Sequence, residues 1–449
     1  MTDVPSNQHP CCAPSDAVSS TAEPRRPGRA GASAWSFADQ AAVSLGNFAT
    51  NILLARAMPP REFGVFGLIF GILLFVNNLH GSLITYPLSV HGATGDDDEL
   101  RRLTWLALLL TFLLALPIAL VFQTAAWALK MGRLAPWVLA ALVFWQIQET
   151  LRRALMAHMH HRRAIWGDAV SYLGQAACIA CLIHSGHLSL PAIFAAIALT
   201  SAAASLIQLA QLRIHTFSPR GLVARARDSW NLGRWTALSN FVGVANIQAV
   251  PWALAAFHGA AEAGKLVALG NIVGVTHPAV FSVGNLIVPA TARAKITAGV
   301  RSAWHIAAAY GAMGALLVVP YYLALGLRPE FALRHFYGAG SSYLALSTPL
   351  RLFATAYFLA YVCMVMTALL NGLSRSRSTL LVQLASVAAT LLVTLPLAML
   401  GGVKWSLAGA CVSTLAGVIT AGLLLRRSAG SCEGERFVTE GAAMLAAAA

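Results

Sequence analysis

Long apolar runs separated by short polar connections dominate the sequence from residue 36 onwards. A run of about 20 apolar residues is the length that crosses a bilayer as an α-helix. Charged residues make up only 11% of the chain, and hydrophobic residues make up 57%. A soluble domain carries about 25% charged residues, so this chain cannot build a water-facing surface of its length. The sequence therefore predicts an all-α polytopic membrane protein and excludes a soluble enzyme.

The apolar segments predict twelve membrane-spanning helices joined by short connections. Their predicted limits are residues 36–57, 65–87, 103–123, 134–155, 165–186, 190–211, 231–256, 264–289, 304–327, 345–370, 378–400 and 405–425. We expect a disordered cytoplasmic tail, a six-helix lobe, a cytoplasmic linker, a second six-helix lobe and another cytoplasmic tail. In that order, these parts are residues 1–34, 35–215, 216–230, 231–427 and 428–449.

Basic residues are distributed unevenly between the two sides of this predicted bundle. If the amino terminus lies in the cytoplasm, 22 of the 31 Lys and Arg residues fall on the cytoplasmic side. An excess of Lys and Arg in cytoplasmic connections is the general rule that orients membrane helices. Topology therefore accounts for much of the net charge of +14, with attraction to anionic lipid as a by-product and without nucleic acid as a partner. We expect a multi-pass protein of the bacterial inner membrane with both termini in the cytoplasm.

The two halves of the chain resemble each other at an offset near 200 residues. The matching pairs are Trp35 with Trp235, Gln40 with Asn240, Glu62 with Glu262, Gly64 with Gly264, and residues 154–163 with 368–377. Because each half holds six predicted spans, the two lobes have the same orientation and are pseudo-symmetric about an axis along the membrane normal. Duplicated bundles of this kind commonly rock about a central cavity, which is the geometry of alternating access.

Several stretches resemble polysaccharide-transport proteins, a branch of the multidrug/oligosaccharidyl-lipid/polysaccharide (MOP) exporter superfamily. They are residues 37–41, 51–56, 62–66, 336–338, 368–377 and 402–409. This branch includes O-antigen and exopolysaccharide repeat-unit flippases. The resemblance covers about residues 35–427. It implies a V-shaped pair of six-helix lobes and a carrier-lipid-linked oligosaccharide as cargo. Membrane lipids are further expected partners, and the polysaccharide polymerase and export machinery are candidate partners.

Polar residues inside the predicted spans mark a candidate substrate cavity, because an intramembrane polar group is costly unless it faces a cavity or a partner. On the first span the polar residues are spaced by 4, 3 and 4, so they share one helix face. Two interpretations stay open: hydrogen bonds between helices, or a hydrated wall that contacts sugar hydroxyls. The candidate cavity residues are Gln40, Ser44, Asn47, Asn51, Asn78, Asn246, Asn271 and Asn285.

Three acidic residues lie within or at the edge of predicted spans. Asp39 is either a solvated group near the surface or an ion-coupling site, and some relatives in the superfamily place such a site on this helix. Glu149 precedes Arg153 by four residues, which favours an intrahelical ion pair. Asp168 begins the fifth predicted span, where a carboxylate typically caps the free N–H groups of a helix.

A lipid-linked oligosaccharide carries a phosphate or pyrophosphate, so its transporter needs cations near the cavity mouth. The forked donors of guanidinium match phosphate oxygens. Arg234 is the strongest candidate, since it lies at the start of the seventh span beside the aromatic Trp235. For each arginine, an ordinary topological charge is the competing explanation. The candidates are Arg56, Arg152, Arg153, Arg234 and Arg351.

No pattern in the sequence indicates a catalytic site, a cofactor or a metal. Residues 259–265 nearly match a phosphate-binding loop, but Leu266 replaces the required Ser or Thr and no strand precedes it. The histidines of residues 158–161 and the pair Cys178 and Cys181 are interpreted as a basic loop and as helix packing.

We therefore predict a flippase that moves polyprenyl-(pyro)phosphate-linked oligosaccharide repeat units across the inner membrane by alternating access. The first alternative is a cation-coupled exporter of drugs or metabolites from the same superfamily. The second is a membrane polysaccharide polymerase or glycosyltransferase. That enzyme would need a large outer platform or catalytic carboxylates, which the sequence does not contain.

Overall fold

The computed structural model describes residues 29–93, 96–128, 132–158, 160–214 and 219–447. Most of the predicted tail at residues 1–34 lies outside these ranges, as do residues 448–449 of the tail predicted at 428–449. All regular secondary structure in the described ranges is helical, which confirms the predicted all-α class.

Within the described residues, the first half of the chain forms six long helices. They are α1 (Arg29–Ala57), α2 (Pro60–Gly92), α3 (Asp97–Ala128), α4 (Ala135–Ala157), α5 (His161–His184) and α6 (Leu190–Leu212). Proline occupies the first turn of α2, α4 and α6, where its missing N–H costs no intrahelical bond. Ser189 caps α6 by accepting a hydrogen bond from the Ala192 backbone N–H at 3.4 Å.

The second half begins with α7 (Leu222–His258), which starts inside the predicted linker 216–230. The segment Ala260–Leu327 follows and is broken at Gly299, whose φ is +82°, into α8 (residues 260–298) and α9 (residues 300–327). The short α10 (Pro329–Tyr337) and α11 (Ser342–Gly372) come next. The last segment starts at Ser376 and is broken at Gly401 and Gly402 into α12 (residues 376–400) and α13 (residues 403–447).

Both broken segments fold back on themselves as antiparallel hairpins. A methyl group placed on Gly314 of α9 would lie 2.7 Å from the side chain of Val283 on α8. One placed on Gly417 of α13 would lie 2.5 Å from Ser386 Oγ on α12. Glycine is needed at Gly299 and Gly402 because both have positive φ, which side chains disfavour.

Eight helical segments in the described ranges are long and apolar enough to cross a membrane. Two of these eight are the hairpins, which are counted as single segments of 68 and 52 residues. The chain is therefore a multi-pass membrane protein. Helices α1 and α4 do not meet this criterion, since both carry polar and charged residues among their apolar ones.

Successive helices run in opposite directions, so their connections lie alternately on two sides. We call the side where α1 begins the basic side; it carries the arginine-rich connections near residues 97–102, 158–163 and 213–227. The other side, which we call the opposite side, carries the connections near residues 57–60 and 327–342.

The buried side chains of the described residues form one core on the opposite side and two separate cores on the basic side. The shared core runs from Leu54 to Leu407 and draws on both halves of the chain. On the basic side, one cluster spans Ile84 to Ile214 and belongs only to the first half. The other spans Val283 to Leu425 and belongs only to the second half. The two halves therefore join on the opposite side and diverge towards the basic side.

Glycines bring equivalent helices of the two halves into contact on the opposite side. Gly64 of α2 faces Gly264 of α8, and a methyl group on either residue would lie 2.9 Å from the backbone N of the other. One turn further, a methyl group on Gly67 would lie 3.0 Å from Val267. Residues whose numbers differ by 200 thus meet each other, as a local two-fold axis between the halves requires. Only glycine permits this close approach of two backbones.

Helix α7 packs along α2 of the other half. Asn240 Nδ2 donates to Ser82 Oγ at 2.8 Å, and the rings of Phe75 and Phe241 lie 4.9 Å apart. Nearer the basic side, Arg225 donates to the Pro87 carbonyl at 3.3 Å. The seam between α2 and α7 is therefore closed from one side of the bundle to the other.

Candidate functional site

The seam between α1 and α8 is equivalent to the closed α2–α7 seam, yet it is closed only on the opposite side. There, α1 packs against residues 260–273 of α8 and against α10. The rings of Phe48 and Phe336 lie 5.9 Å apart, and Arg56 donates to the His335 carbonyl at 2.7 Å and to the Phe336 carbonyl at 2.5 Å. Because the cores separate towards the basic side, α1 and the second part of α8 (residues 277–298) diverge there. The space between the halves opens along this edge.

The predicted polar stripe of α1 lies beside this opening. Asp39, Gly46 and Thr50 define the face of α1 that packs on its own half, through Arg152, Tyr172 and Gln175 respectively. Successive residues are rotated by about 100° around the helix axis, which places the centre of the stripe about 110° from that face. Phe48, which contacts α10 of the other half, lies about 180° from the same face. Leu45 lies about 240° from that face, and its apolar side chain is 60% exposed, so this side of α1 faces lipid. The lipid side is therefore about 130° away from the stripe. The stripe residues are Gln40, Ser44, Asn47 and Asn51.

The other predicted cavity residues do not form one wall. Asn285 is exposed on the second part of α8. Asn271 and Asn246 each have a buried amide atom with no hydrogen-bond partner among the described residues. Asn78 lies beside Phe75 and Asn240 in the closed α2–α7 seam, where it serves helix packing. Interhelical contact therefore fits Asn78, whereas the cavity-wall interpretation of the α1 stripe stays a prediction.

A cluster of buried charges on α1, α4 and α5 is the most polar feature of the first half. Arg152 lies 3.1 Å from Asp39 Oδ2, 3.3 Å from Glu149 Oε2 and 2.5 Å from Asp168 Oδ2. All four residues are at most 7% exposed. Arg153 pairs with Glu149 at 2.7 Å, which confirms the predicted intrahelical ion pair. We call these five residues the charge cluster.

The charge cluster corrects three expectations. Of the two interpretations of Asp39, the solvated group near the surface is wrong, because its side chain is 1% exposed and paired with Arg152; the ion-coupling site stays a prediction. The prediction of Asp168 as a helix cap is also wrong, since α5 begins at His161 and the carboxylate is bound to Arg152. Arg152 is neutralised by three carboxylates, so it does not present a free guanidinium to phosphate in this conformation.

The surroundings of the charge cluster are polar but incompletely paired. Gln148 and Gln208 donate to Asp168 Oδ1 at 2.8 and 3.3 Å. Several other buried atoms have no partner within the described part of the chain. They are Asp39 Oδ1, His80 Nδ1, Gln148 Oε1, Gln208 Oε1 and both polar atoms of Gln146. A π-helical turn, Ala169–Leu173, directly follows Asp168, and such turns occur frequently at functional sites. Sequence reasoning missed these glutamines because their contacts join different helices: Gln148 and Gln208 meet Asp168 from 20 and 40 positions away.

The five predicted phosphate-binding arginines occupy four separate places. Arg152 and Arg153 belong to the charge cluster. Arg234 is exposed on α7, with its guanidinium 5.6 Å from the ring centre of Trp235. Arg56 holds the C-terminal carbonyls of α10, and Arg351 donates to the Gly326 carbonyl at 3.0 Å, both on the opposite side. The structure therefore does not gather these arginines into a single site.

Among the described residues, no group of three or more His, Cys, Asp or Glu side chains is arranged to hold a metal ion. Cys178 and Cys181 are both exposed on α5.

No family model matches the chain, and no curated protein matches it by sequence. Solved structures match it in fold. An inward-facing multidrug resistance MATE family transporter of the MOP superfamily matches with a TM-score of 0.70 and 14% identity, covering 86% of this chain and 95% of that one. An outward-facing MATE transporter matches with a TM-score of 0.58 and 15% identity, covering 88% and 94%. The lipid II flippase MurJ matches with a TM-score of 0.63 and 9% identity, covering 88% and 87%. This chain therefore has the fold that MATE transporters of the MOP superfamily and the flippase MurJ share.

Proposed function

We propose that this chain is a flippase that moves polyprenyl-(pyro)phosphate-linked oligosaccharide repeat units from the cytoplasmic to the outer leaflet of the bacterial inner membrane. It would do so with twelve spanning helices in two lobes. The observation that carries this proposal is the asymmetry of the two seams. The α2–α7 seam is closed throughout, whereas the α1–α8 seam is open on the basic side and has polar residues on α1. The basic side is then the cytoplasmic side, with both termini there.

An opening of this shape suits an amphiphilic cargo. A polar head group can lie against the α1 stripe inside the bundle while its prenyl tail remains in lipid outside the open seam. Carboxamides supply both donors and acceptors for sugar hydroxyls. The inside-negative membrane potential favours outward movement of an anion by about 2.3 kcal/mol per charge per 100 mV. Ion coupling is therefore compatible with this transport but is not required for it.

Arg234 is the proposed contact for the phosphate group on the cytoplasmic side. It is exposed, it forms no ion pair among the described residues, and it shares α7 with the exposed Trp235. Arg56 and Arg153 remain weaker candidates, because each is already bonded to other groups. Arg351 is a weaker candidate because it lies on the opposite side. Arg152 would become available only if the charge cluster rearranged during transport.

The charge cluster favours a second candidate function, a cation-coupled exporter of drugs or metabolites. Its three carboxylates outnumber the two arginines, so a bound proton or cation would balance the charge. Asp39 is the proposed coupling residue, since one of its oxygens has no partner within the described residues. A polymerase or glycosyltransferase is a weaker third candidate, because the chain has the fold of transporters.

Export by intact cells distinguishes these functions. Deletion of the gene should trap lipid-linked repeat units in the cytoplasmic leaflet, and accumulation of unpolymerised units outside would favour the polymerase instead. Normal repeat-unit export together with increased drug sensitivity would favour the drug exporter.

The phosphate contact is tested in proteoliposomes that contain a fluorescent polyprenyl-diphosphate-linked glycan. We expect Arg234→Ala to slow flipping at low substrate concentration, because it removes the forked donor for phosphate. The matched control is Arg227→Ala, which removes an exposed arginine from the same helix. Equal flipping by both variants at equal protein level would remove Arg234 from the site.

A further inference from the structure

Three arginines surround a cavity of about 340 Å³ on the opposite side of the bundle, where α9, α10 and α11 meet. Arg328 precedes α10, Arg334 lies in its last turn, and Arg351 lies on α11. The rest of the lining is Leu327, Pro329, Glu330 and Phe331. We call this cavity the arginine pocket. It lies away from both the α1 stripe and the charge cluster.

The positive charge of the arginine pocket is not neutralised by the protein. None of its three arginines forms an ion pair in the described ranges. Glu330 forms none there either. With three guanidinium groups and one carboxylate, the lining has a net charge of +2. Arg351 is held in place because its Nε donates to the Gly326 carbonyl at 3.0 Å. This bond leaves both terminal nitrogens of the guanidinium available to a ligand. The amino-terminal end of α10 adds its partial positive charge.

Membrane topology does not account for these arginines. Basic residues are generally depleted from outer connections. The opposite side nevertheless places three arginines within residues 328–351, all around one cavity. Lys265, another cation on this side, is paired with Glu262 at 2.5 Å. The arginine pocket is thus a local concentration of guanidinium groups without ion pairs. It lies on the side of the bundle where the rule for Lys and Arg in connections favours few basic residues.

The rim of the arginine pocket is apolar and exposed. Leu327 is 68% exposed and Phe331 is 70% exposed, although both lie at the end of a membrane-embedded bundle. Helix α10 therefore has an apolar side chain exposed beside its basic ones, the pattern of a helix lying in a membrane interface. A ligand with a phosphate group and a hydrocarbon chain matches both features, because guanidinium binds phosphate oxygens and the rim contacts the chain.

We propose that the arginine pocket binds the phosphate head group of an anionic lipid in the leaflet on the opposite side. This binding is independent of the transport proposal, because its test uses phosphatidylglycerol and measures no export.

Native mass spectrometry of the detergent-purified full chain tests the proposal with phosphatidylglycerol as the probe. We expect Arg328→Ala/Arg334→Ala to weaken phosphatidylglycerol binding about tenfold, since two charge-assisted contacts are lost. This variant leaves Arg351 and its bond to Gly326 intact, and an unchanged melting temperature would show that it folds. The matched control is Arg61→Ala/Arg133→Ala, which removes two exposed arginines from the same side and should bind as wild type.

Two results would overturn the proposal. Equal phosphatidylglycerol binding by the pocket variant and the control variant would show that the pocket is not the site. Displacement of the lipid by an equal concentration of inorganic phosphate would assign the pocket to free phosphate instead. Retention of the lipid under the same conditions supports the head-group assignment.

Discussion

Arg152 joins three helices at a single buried guanidinium. Its carboxylate partners come from α1, α4 and α5, and each of the four side chains is largely withdrawn from solvent. Buried charges are tolerated when they are paired, but removal of one partner leaves the others without compensation. The charge cluster therefore stabilises the packing of the first half only as a complete set.

Replacement of Arg152 tests this dependence. We expect Arg152→Leu to lower the free energy of unfolding by about 3–5 kcal/mol, because three carboxylates then remain buried beside one arginine. Thermal unfolding followed by tryptophan fluorescence in detergent would measure the loss. Arg163→Leu, an exposed arginine of α5, should change stability by about 0.5 kcal/mol or less. The double variant Arg152→Leu/Asp168→Leu should recover part of the loss, and the account is wrong if it is less stable than Arg152→Leu.

The residue-scale predictions from sequence succeeded where a contact is local and failed where it is not. The Glu149–Arg153 pair was predictable because residues four apart share a helix face. The partners of Arg152 on α1 and α5 were not, since they lie 113 and 16 positions away and meet it only through helix packing. The sequence placed Asp168 at a helix end for the same reason, because the local pattern does not contain its partner Arg152.

At the scale of elements, α1 combines two functions on different faces. One face packs on α5 and contributes Asp39 to the charge cluster, and the polar stripe borders the open seam. Periodicity alone predicted the stripe. It did not predict which way the stripe points, because the direction depends on how α1 is rotated against its neighbours.

Tryptophan substitution on α1 separates these faces by transport activity. We expect Asn47→Trp to reduce flipping of the lipid-linked glycan several-fold, because the indole fills space beside the open seam. Leu45→Trp should flip at the wild-type rate, since Leu45 lies on the lipid side and tolerates a large apolar group. Rates in proteoliposomes at equal protein content would measure both variants. If Leu45→Trp were the more impaired of the two, the assigned orientation of α1 would be wrong.

The whole molecule is joined on one side and divided on the other. One core spans both halves on the opposite side, and each half has its own core on the basic side. Gly64 and Gly264 hold the joined side together along the local two-fold axis, and Arg56 bonds to the end of α10 across the two halves. Alternating access requires that these joined contacts separate while the divided side closes.

Arg56 is expected to bias this equilibrium towards the conformation that is open on the basic side. Charged hydrogen bonds contribute about 1.5–3 kcal/mol each, so the loss of both in Arg56→Ala should shift the equilibrium about a hundredfold or more towards closure of the basic side. Spin labels at Arg163→Cys and Arg301→Cys, in a background without other cysteines, would report the distance between the halves. A shorter distance in Arg56→Ala is the expected result.

The control for this shift is Arg61→Ala, an exposed arginine on the same side that lacks such bonds. It should keep the wild-type distance distribution. An identical distribution in Arg56→Ala would show that its carbonyl bonds do not hold the opposite side closed.

The sequence by itself determined the class of protein, the positions of most helices and the correspondence of its two halves. These properties depend on hydrophobicity, which adds up along a segment, and on spacing along one helix, so they need no knowledge of distant residues. Only the tertiary structure decided which seam is open, which polar residues border it and which charges are buried. Those outcomes depend on contacts between helices far apart in the chain, where chemically similar groups such as Asn47 and Asn78, or Arg152 and Arg234, acquire different environments.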